Sequence, residues 1–245
     1  MRRASAFVLV VLSPLALAAQ QRGSAPTQTP ATPPPNPFRF QMMGPAEGGR
    51  ISAITGVPGD ARIWYVGAAS GGVWKSADSG ATFRPVSDSM PVQAIGALAV
   101  APSKPSIVWA GTGEAWAIRD ADLQGDGIYK STDSGTTWRN MGLRETGRIG
   151  RIIVHPTNPD IVYVCALGRA TGPQDEHGVY RTKDGGKTWK LVLTLGGNFG
   201  CSGLALDVKN PQVVFAGMWH VILHTYAMYS GTDDPKAGIY VSRDG

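Results

Sequence analysis

One short phrase occurs four times along the chain: GVWKSADSGATF at 72–83, GIYKSTDSGTTW at 127–138, GVYRTKDGGKTW at 178–189 and GIYVSRDG at 238–245. Its aspartates, Asp78, Asp133, Asp184 and Asp244, lie 55, 51 and 60 residues apart. A near-constant period of this size restricts the chain to stacked supersecondary units, because one such unit cannot bury its apolar face alone. Ahead of each phrase is an apolar run ending in an aromatic and small residues, at 63–67, 107–111, 161–165 and 213–217. A proline turn precedes each run, and another apolar segment precedes the turn, at 50–54, 95–100, 148–154 and 201–206. A further strand follows the phrase at 82–86, 137–141 and 188–193.

Each unit therefore reads as strand A, proline turn, strand B, loop, strand C, Asp-Gly turn, strand D. Four short antiparallel strands at a period near fifty residues describe a β-propeller blade. The expectation is an all-β chain with blades near 45–88, 92–143, 147–195 and 199–245, the last one unfinished. The 32 glycines and 18 prolines suit short strands joined by tight turns.

The blades are preceded by two segments of other character. Arg2, Arg3 and the apolar stretch that follows, with Ala16-Leu17-Ala18, have the pattern of an export signal over 1–19. Residues 20–37, rich in Pro, Thr, Gln and Ala, read as an extended linker. The protein is thus expected to be exported: periplasmic, cell-surface or extracellular. A net charge of +5 without Lys/Arg runs interleaved with aromatics speaks against nucleic acid as a partner. Cys165 and Cys201 could pair in an oxidising compartment, although two cysteines in apolar strands read more simply as buried thiols. The four histidines have no metal-ligand spacing, so neither metal nor cofactor is expected.

The repeated aspartates invite a catalytic or calcium reading. Repetition argues for a turn role instead: the carboxylate takes backbone N–H groups while the glycine accepts positive φ. Asp78, Gly80 and Phe83, Asp133, Gly135 and Trp138, Asp184, Gly186 and Trp189, and Asp244 are assigned this role. Each aromatic is expected to pack back under its own turn.

The pattern S/T-x-D-x-G-x-T-W/F resembles the Asp-box, or bacterial neuraminidase repeat. That repeat is found in sialidases, in xyloglucan-degrading glycosidases and in the propeller of sortilin-type receptors. The phrases GPAEGGRI (44–51), YVGAASGGVWKS (65–76), GTGEA (111–115) and GRIIVHPTNPDIVYV (150–164) are similar to large exported bacterial proteins labelled sortilin-like or glycosyl hydrolase. The resemblance implies a fragment of a longer propeller, whose partners include further blades and C-terminal domains. It also implies either a peptide, protein or glycan ligand, or a glycoside hydrolase closer to a xyloglucanase than to a sialidase. The sialidase Arg-Ile-Pro or Arg-Leu-Pro phrase is missing, Phe38-Arg39-Phe40 being followed by glutamine.

Strand order places the A–B and C–D turns at one end of every blade and the B–C loops at the other. The B–C loops vary: Ser70-Gly71 in blade 1, then 115–126, 169–177 and 221–237. Variable loops on a rigid repeat are where function is expected. Trp116, Arg119, Trp219, His220 and Tyr226 are the candidate ligand contacts there, and Glu114, Asp122 and Asp126 the candidate catalytic carboxylates. Arg50 and Arg148 open strand A in the same GRI register, where they either hold an anionic ligand group or form ion pairs between blades.

Overall fold

In the computed structural model, residues 50–115, 124–169, 174–224, 227–230 and 234–245 are described. The chain is all-β, with four four-stranded antiparallel sheets. Blade 1 contains β1 (Ile51–Val57), β2 (Asp60–Ala68), β3 (Val73–Ser76) and β4 (Arg84–Pro85). Blade 2 contains β5 (Ile95–Val100), β6 (Val108–Thr112), β7 (Ile128–Ser131) and β8 (Arg139–Asn140). Blade 3 contains β9 (Ile149–Val154), β10 (Val162–Ala166), β11 (Gly178–Thr182) and β12 (Lys190–Leu193). In each, the strands pair in chain order, as a meander does.

Blade 4 departs from that plan. β13 (Phe199–Leu206), β14 (Val214–His224) and β16 (Gly238–Ser242) take the A, B and C places. Its fourth strand is β15 (Ala227–Ser230), which pairs with the far half of β14 from Val221 to His224. The segment expected as a loop from Val221 onward is therefore a two-stranded ribbon continuing strand B. Its β-branched and aromatic residues suit an extended strand, but standing where the other blades have B–C loops they read as loop contents.

The core lies between blades. Strands A and B of blade 2 bring Ala97, Ala99, Ile107 and Trp109 against Ile149, Ile152, Val162 and Val164 of blade 3. Similar clusters join blade 1 to blade 2 and blade 3 to blade 4. At the inner edge a strand-B glycine faces an isoleucine opening the next strand A. A Cβ on Gly67 would stand 2.5 Å from Ile95, and one on Gly111 would stand 2.4 Å from Ile149. At the third interface the corresponding residues are Cys165 and Cys201, and they form a disulfide with Cα atoms 5.0 Å apart. The buried-thiol reading is corrected: sheet stacking, rather than chain proximity, brings these sulfurs together.

The Asp turns are built alike. In blade 1, Asp78 Oδ1 accepts from Thr82 N at 2.9 Å and from Ser76 Oγ at 2.7 Å, and Oδ2 accepts from Thr82 Oγ1 at 2.6 Å. Asp133 and Asp184 repeat this set with Thr137 and Ser131, and with Thr188 and Thr182. Two successive left-handed residues close the turn, Ser134 at φ 59° and Gly135 at 88° in blade 2. The aromatics correct the expectation. The Trp138 indole donates to Val86 O of blade 1, and that of Trp189 to Met141 O of blade 2, both at 2.8 Å. Each indole therefore clips its blade to the preceding one.

Donation from the threonine hydroxyl, then from its amide, holds Asp78 and Asp133 down to about 2 from an ordinary 3.8, and Asp184 is lowered in the same way. Between those values the unfolded chain binds more protons, so the turns' stabilisation is complete above pH 3.8 and fades as pH falls through about 2. Stability measured by urea melts is expected to fall over this window. An Asp133→Asn variant is expected to lose part of that acid dependence.

Candidate functional site

The B–C end of the blades carries the sequence-derived candidates. Blade 1 closes tightly there, Ala68 N donating to Gly72 O at 2.9 Å. Trp116, Arg119, Asp122 and Tyr226 lie outside the described residues.

Blades 1 and 2 are joined at this end by an ion pair. Strand B of blade 2 runs out at Thr112, so Glu114 lands beside Arg50, which precedes β1. Arg50 Nε donates to Glu114 Oε1 at 2.6 Å, and a second guanidinium N–H donates to Oε2. Glu114 is fully buried, whereas the Arg50 side chain is 60% exposed. Hydrogen bonding to Glu114, and then that carboxylate's charge, raise the Arg50 guanidinium above its usual range. Arg50 thus forms the ion pair between blades, one of the two roles expected of it. Both Glu114 oxygens accept from the guanidinium.

Arg148 stands at the same register in blade 3 but is buried. Its guanidinium donates to Gly168 O at 2.7 Å and to Arg169 O at 3.0 Å, pinning the end of strand B in its own blade. Burial pushes it down to about 10. Beside it, His177 is also buried, and neither ring nitrogen has a partner among the described residues. Desolvation, followed by the Arg148 charge, pushes His177 down to about 4 from 6.5. The unfolded state then binds the extra proton between those values, so folding weakens as pH falls from 6.5 towards 4. NMR titration of His177 should give a midpoint near 4, and His177→Phe should flatten that acid limb.

Arg169, exposed at the rim of the same loop, pairs with Glu145. Asp126 is fastened within blade 2: Oδ2 accepts from Tyr129 Oη at 2.7 Å and from Arg144 at 3.3 Å, and its amide donates to Thr112 Oγ1 at 2.9 Å. In blade 4, His220 stacks on Phe199 with ring centroids 4.7 Å apart, and Asp234 Oδ2 is 3.8 Å from its Nδ1. Trp219 packs against Ala115, Leu167 and Val221, so blades 2, 3 and 4 meet in one apolar cluster at this end. Sequence reading missed Phe199 and Glu145, which lie outside the B–C insertions; His177 falls within the 169–177 loop, but its burial is created only by the folded blade.

The family model for Sortilin-Vps10 (Sortilin, neurotensin receptor 3) matches residues 52–215. The chain belongs to the Sortilin-Vps10 family. Among curated relatives of this Sortilin-Vps10 chain, a xyloglucanase of Hypocrea jecorina is 30% identical over 204 residues, covering 71% of the chain and 23% of the relative. A xyloglucanase of Acetivibrio thermocellus is 27% identical over 209 residues, covering 73% of the chain and 23% of the relative. The chain thus spans about a quarter of the length of these relatives. A solved GH74 enzyme of Niastella koreensis shares the fold at TM-score 0.56 and 18% identity, covering 79% of this chain and 28% of that one. Among the described residues, no three His, Cys, Asp or Glu side chains gather as a metal would require.

Proposed function

We propose that this chain is part of an exported propeller that binds an extended peptide, protein or glycan on its B–C loop face, without catalysis by this segment. The observation that carries the reading is the state of Glu114 and Asp126. Both carboxylates already accept hydrogen bonds from a neighbouring guanidinium, so both act as structural acceptors at this face. Trp219 and His220, the latter stacked on the buried Phe199, supply ring surface at the same end, and rings of this kind suit a sugar or an extended peptide. Export is supported by the leader-like first 19 residues and by the disulfide, a bond that persists in oxidising compartments.

A second reading, glycoside hydrolysis, is favoured by the xyloglucanase relatives. In that case Asp122 or Asp126 would act with a carboxylate from outside this segment. The test uses the full-length protein on glycan and peptide arrays, with reducing-sugar release from xyloglucan measured in parallel. Binding weakened about tenfold by Trp219→Ala or His220→Ala, without sugar release, is the expected result. Hydrolysis abolished by Asp122→Asn or Asp126→Asn, with folding retained, would overturn it.

A further inference from the structure

Strands C and D of the first three blades set two basic residues directly opposite one another: Lys75 and Arg84, Lys130 and Arg139, Arg181 and Lys190. Like charges facing each other across an antiparallel pair are destabilising, yet the arrangement recurs at one register. Interblade contacts account for the strand-C member in two blades. Lys75 Nζ donates to Ser134 O and lies 5.2 Å from the Tyr65 ring centre, and Lys130 Nζ donates to Gly185 O and lies 4.8 Å from that of Trp109. The strand-D member has no such explanation. Arg84, Arg139 and Lys190 are exposed, and none forms an ion pair among the described residues.

Opposed residues project from the same face of a sheet. Each exposed cation therefore stands beside its strand-C partner, at the outer edge on the Asp-turn side, away from the B–C loops. Between blades 2 and 3 this row opens into a cleft of about 810 Å³ lined by Lys130, Arg139, Lys187, Asn140, Thr137 and Trp138. Asp160 and Asp184 also reach the cleft, but the Asp184 oxygens are taken by Thr182 and Thr188 of its own turn.

We propose that this rim binds a linear anionic polysaccharide bearing carboxylate or sulfate groups. The cleft has room for more than one sugar ring, and the cations of neighbouring blades, on sheets stacked about 10 Å or more apart, meet charges on non-adjacent sugars of one chain. The Asn140 amide, the Thr137 hydroxyl and the Trp138 indole of this lining are already held by Asp126 O and Gly142 N, by Asp133 and by Val86 O, so the groups left to meet a ligand are the cations. The succession of aromatic platforms on which single-stranded nucleic acid stacks is missing from this lining.

The test titrates the full chain with polygalacturonate, using neutral xyloglucan, anionic phospholipid vesicles and duplex DNA as comparisons. Polygalacturonate should bind at low ionic strength and release at about 0.2 M salt, where screening shortens to below ~8 Å. The triple variant R84Q/R139Q/K190Q should bind at least about tenfold more weakly, with its thermal midpoint equal to or above the parent's, because each substitution removes an exposed, unpaired charge and relieves like-charge repulsion. Unchanged binding by the variant would overturn the proposal. So would equal binding of xyloglucan, of the vesicles or of DNA by the parent protein.

Discussion

Replacing Cys165 and Cys201 by alanine is expected to destabilise blades 3 and 4 by about 4 kcal/mol, as judged from the entropy of closing a loop of 36 residues. The bond bridges β10 and β13, the inner strands of two successive sheets. Each repeat contacts mainly its neighbours, so the loss should concentrate at this one interface. Hydrogen exchange of β13 and β14 should accelerate far more than that of β5 and β6, and reductant should reproduce the effect in the parent protein. A second variant separates cross-link from packing. Cys165→Gly with Cys201→Ile installs the pair found at the other two interfaces, where Gly67 faces Ile95 and Gly111 faces Ile149. It should recover the packing part of the loss and leave the cross-link part. If reductant leaves exchange in β13 unchanged, the bond contributes nothing to the interface and the prediction fails.

The second large effect is expected from Trp189→Ala, at about 3–5 kcal/mol, the range for truncating a large packed aromatic. The indole meets Trp109 edge-on with centroids 6.1 Å apart and donates to Met141 O. Its removal opens the outer half of the interface between blades 2 and 3 and leaves that carbonyl without its donor. Trp189→Phe keeps most of the ring area and loses only the N–H bond, which should cost about 1 kcal/mol. Denaturant midpoints of the two variants separate these contributions. Equal destabilisation by alanine and phenylalanine would show that the hydrogen bond, rather than the ring, holds the blades.

The four sheets, the strand order of the first three blades and the Asp turns were legible in the sequence because they rest on contacts a few residues long. Asp78 reaches only to Ser76 and Thr82, and the same spacing recurs at Asp133 and Asp184. The direction of Trp138 was not legible. A residue five positions from its turn can fold back or reach across, and only the stacked sheet offers Val86 O as an acceptor. Of the candidate site, strand order alone groups the B–C loops at one end, but the roles of Arg50, Glu114 and Arg148 depend on which chain segments lie beside them. Arg50 and Arg148 share one register and differ in fate. Arg50 meets a buried carboxylate of the next blade, whereas Arg148 turns to the carbonyls of its own.

The aligned copies did hold one unread clue. Cys165 falls where Gly67 and Gly111 fall, and Cys201 falls where Ile95 and Ile149 fall. Recognising a bond required knowing that these two registers touch, which is a property of neighbouring sheets. By itself, then, the sequence determined the repeating four-strand unit and its turns, since local hydrogen bonding and alternation fix them within each copy. The tertiary structure decided which copies' residues meet: the disulfide, the tryptophan clips, the Arg50–Glu114 pair and the basic rim. Those contacts join residues tens of positions apart, and stacking one sheet on the next is what brings them within reach.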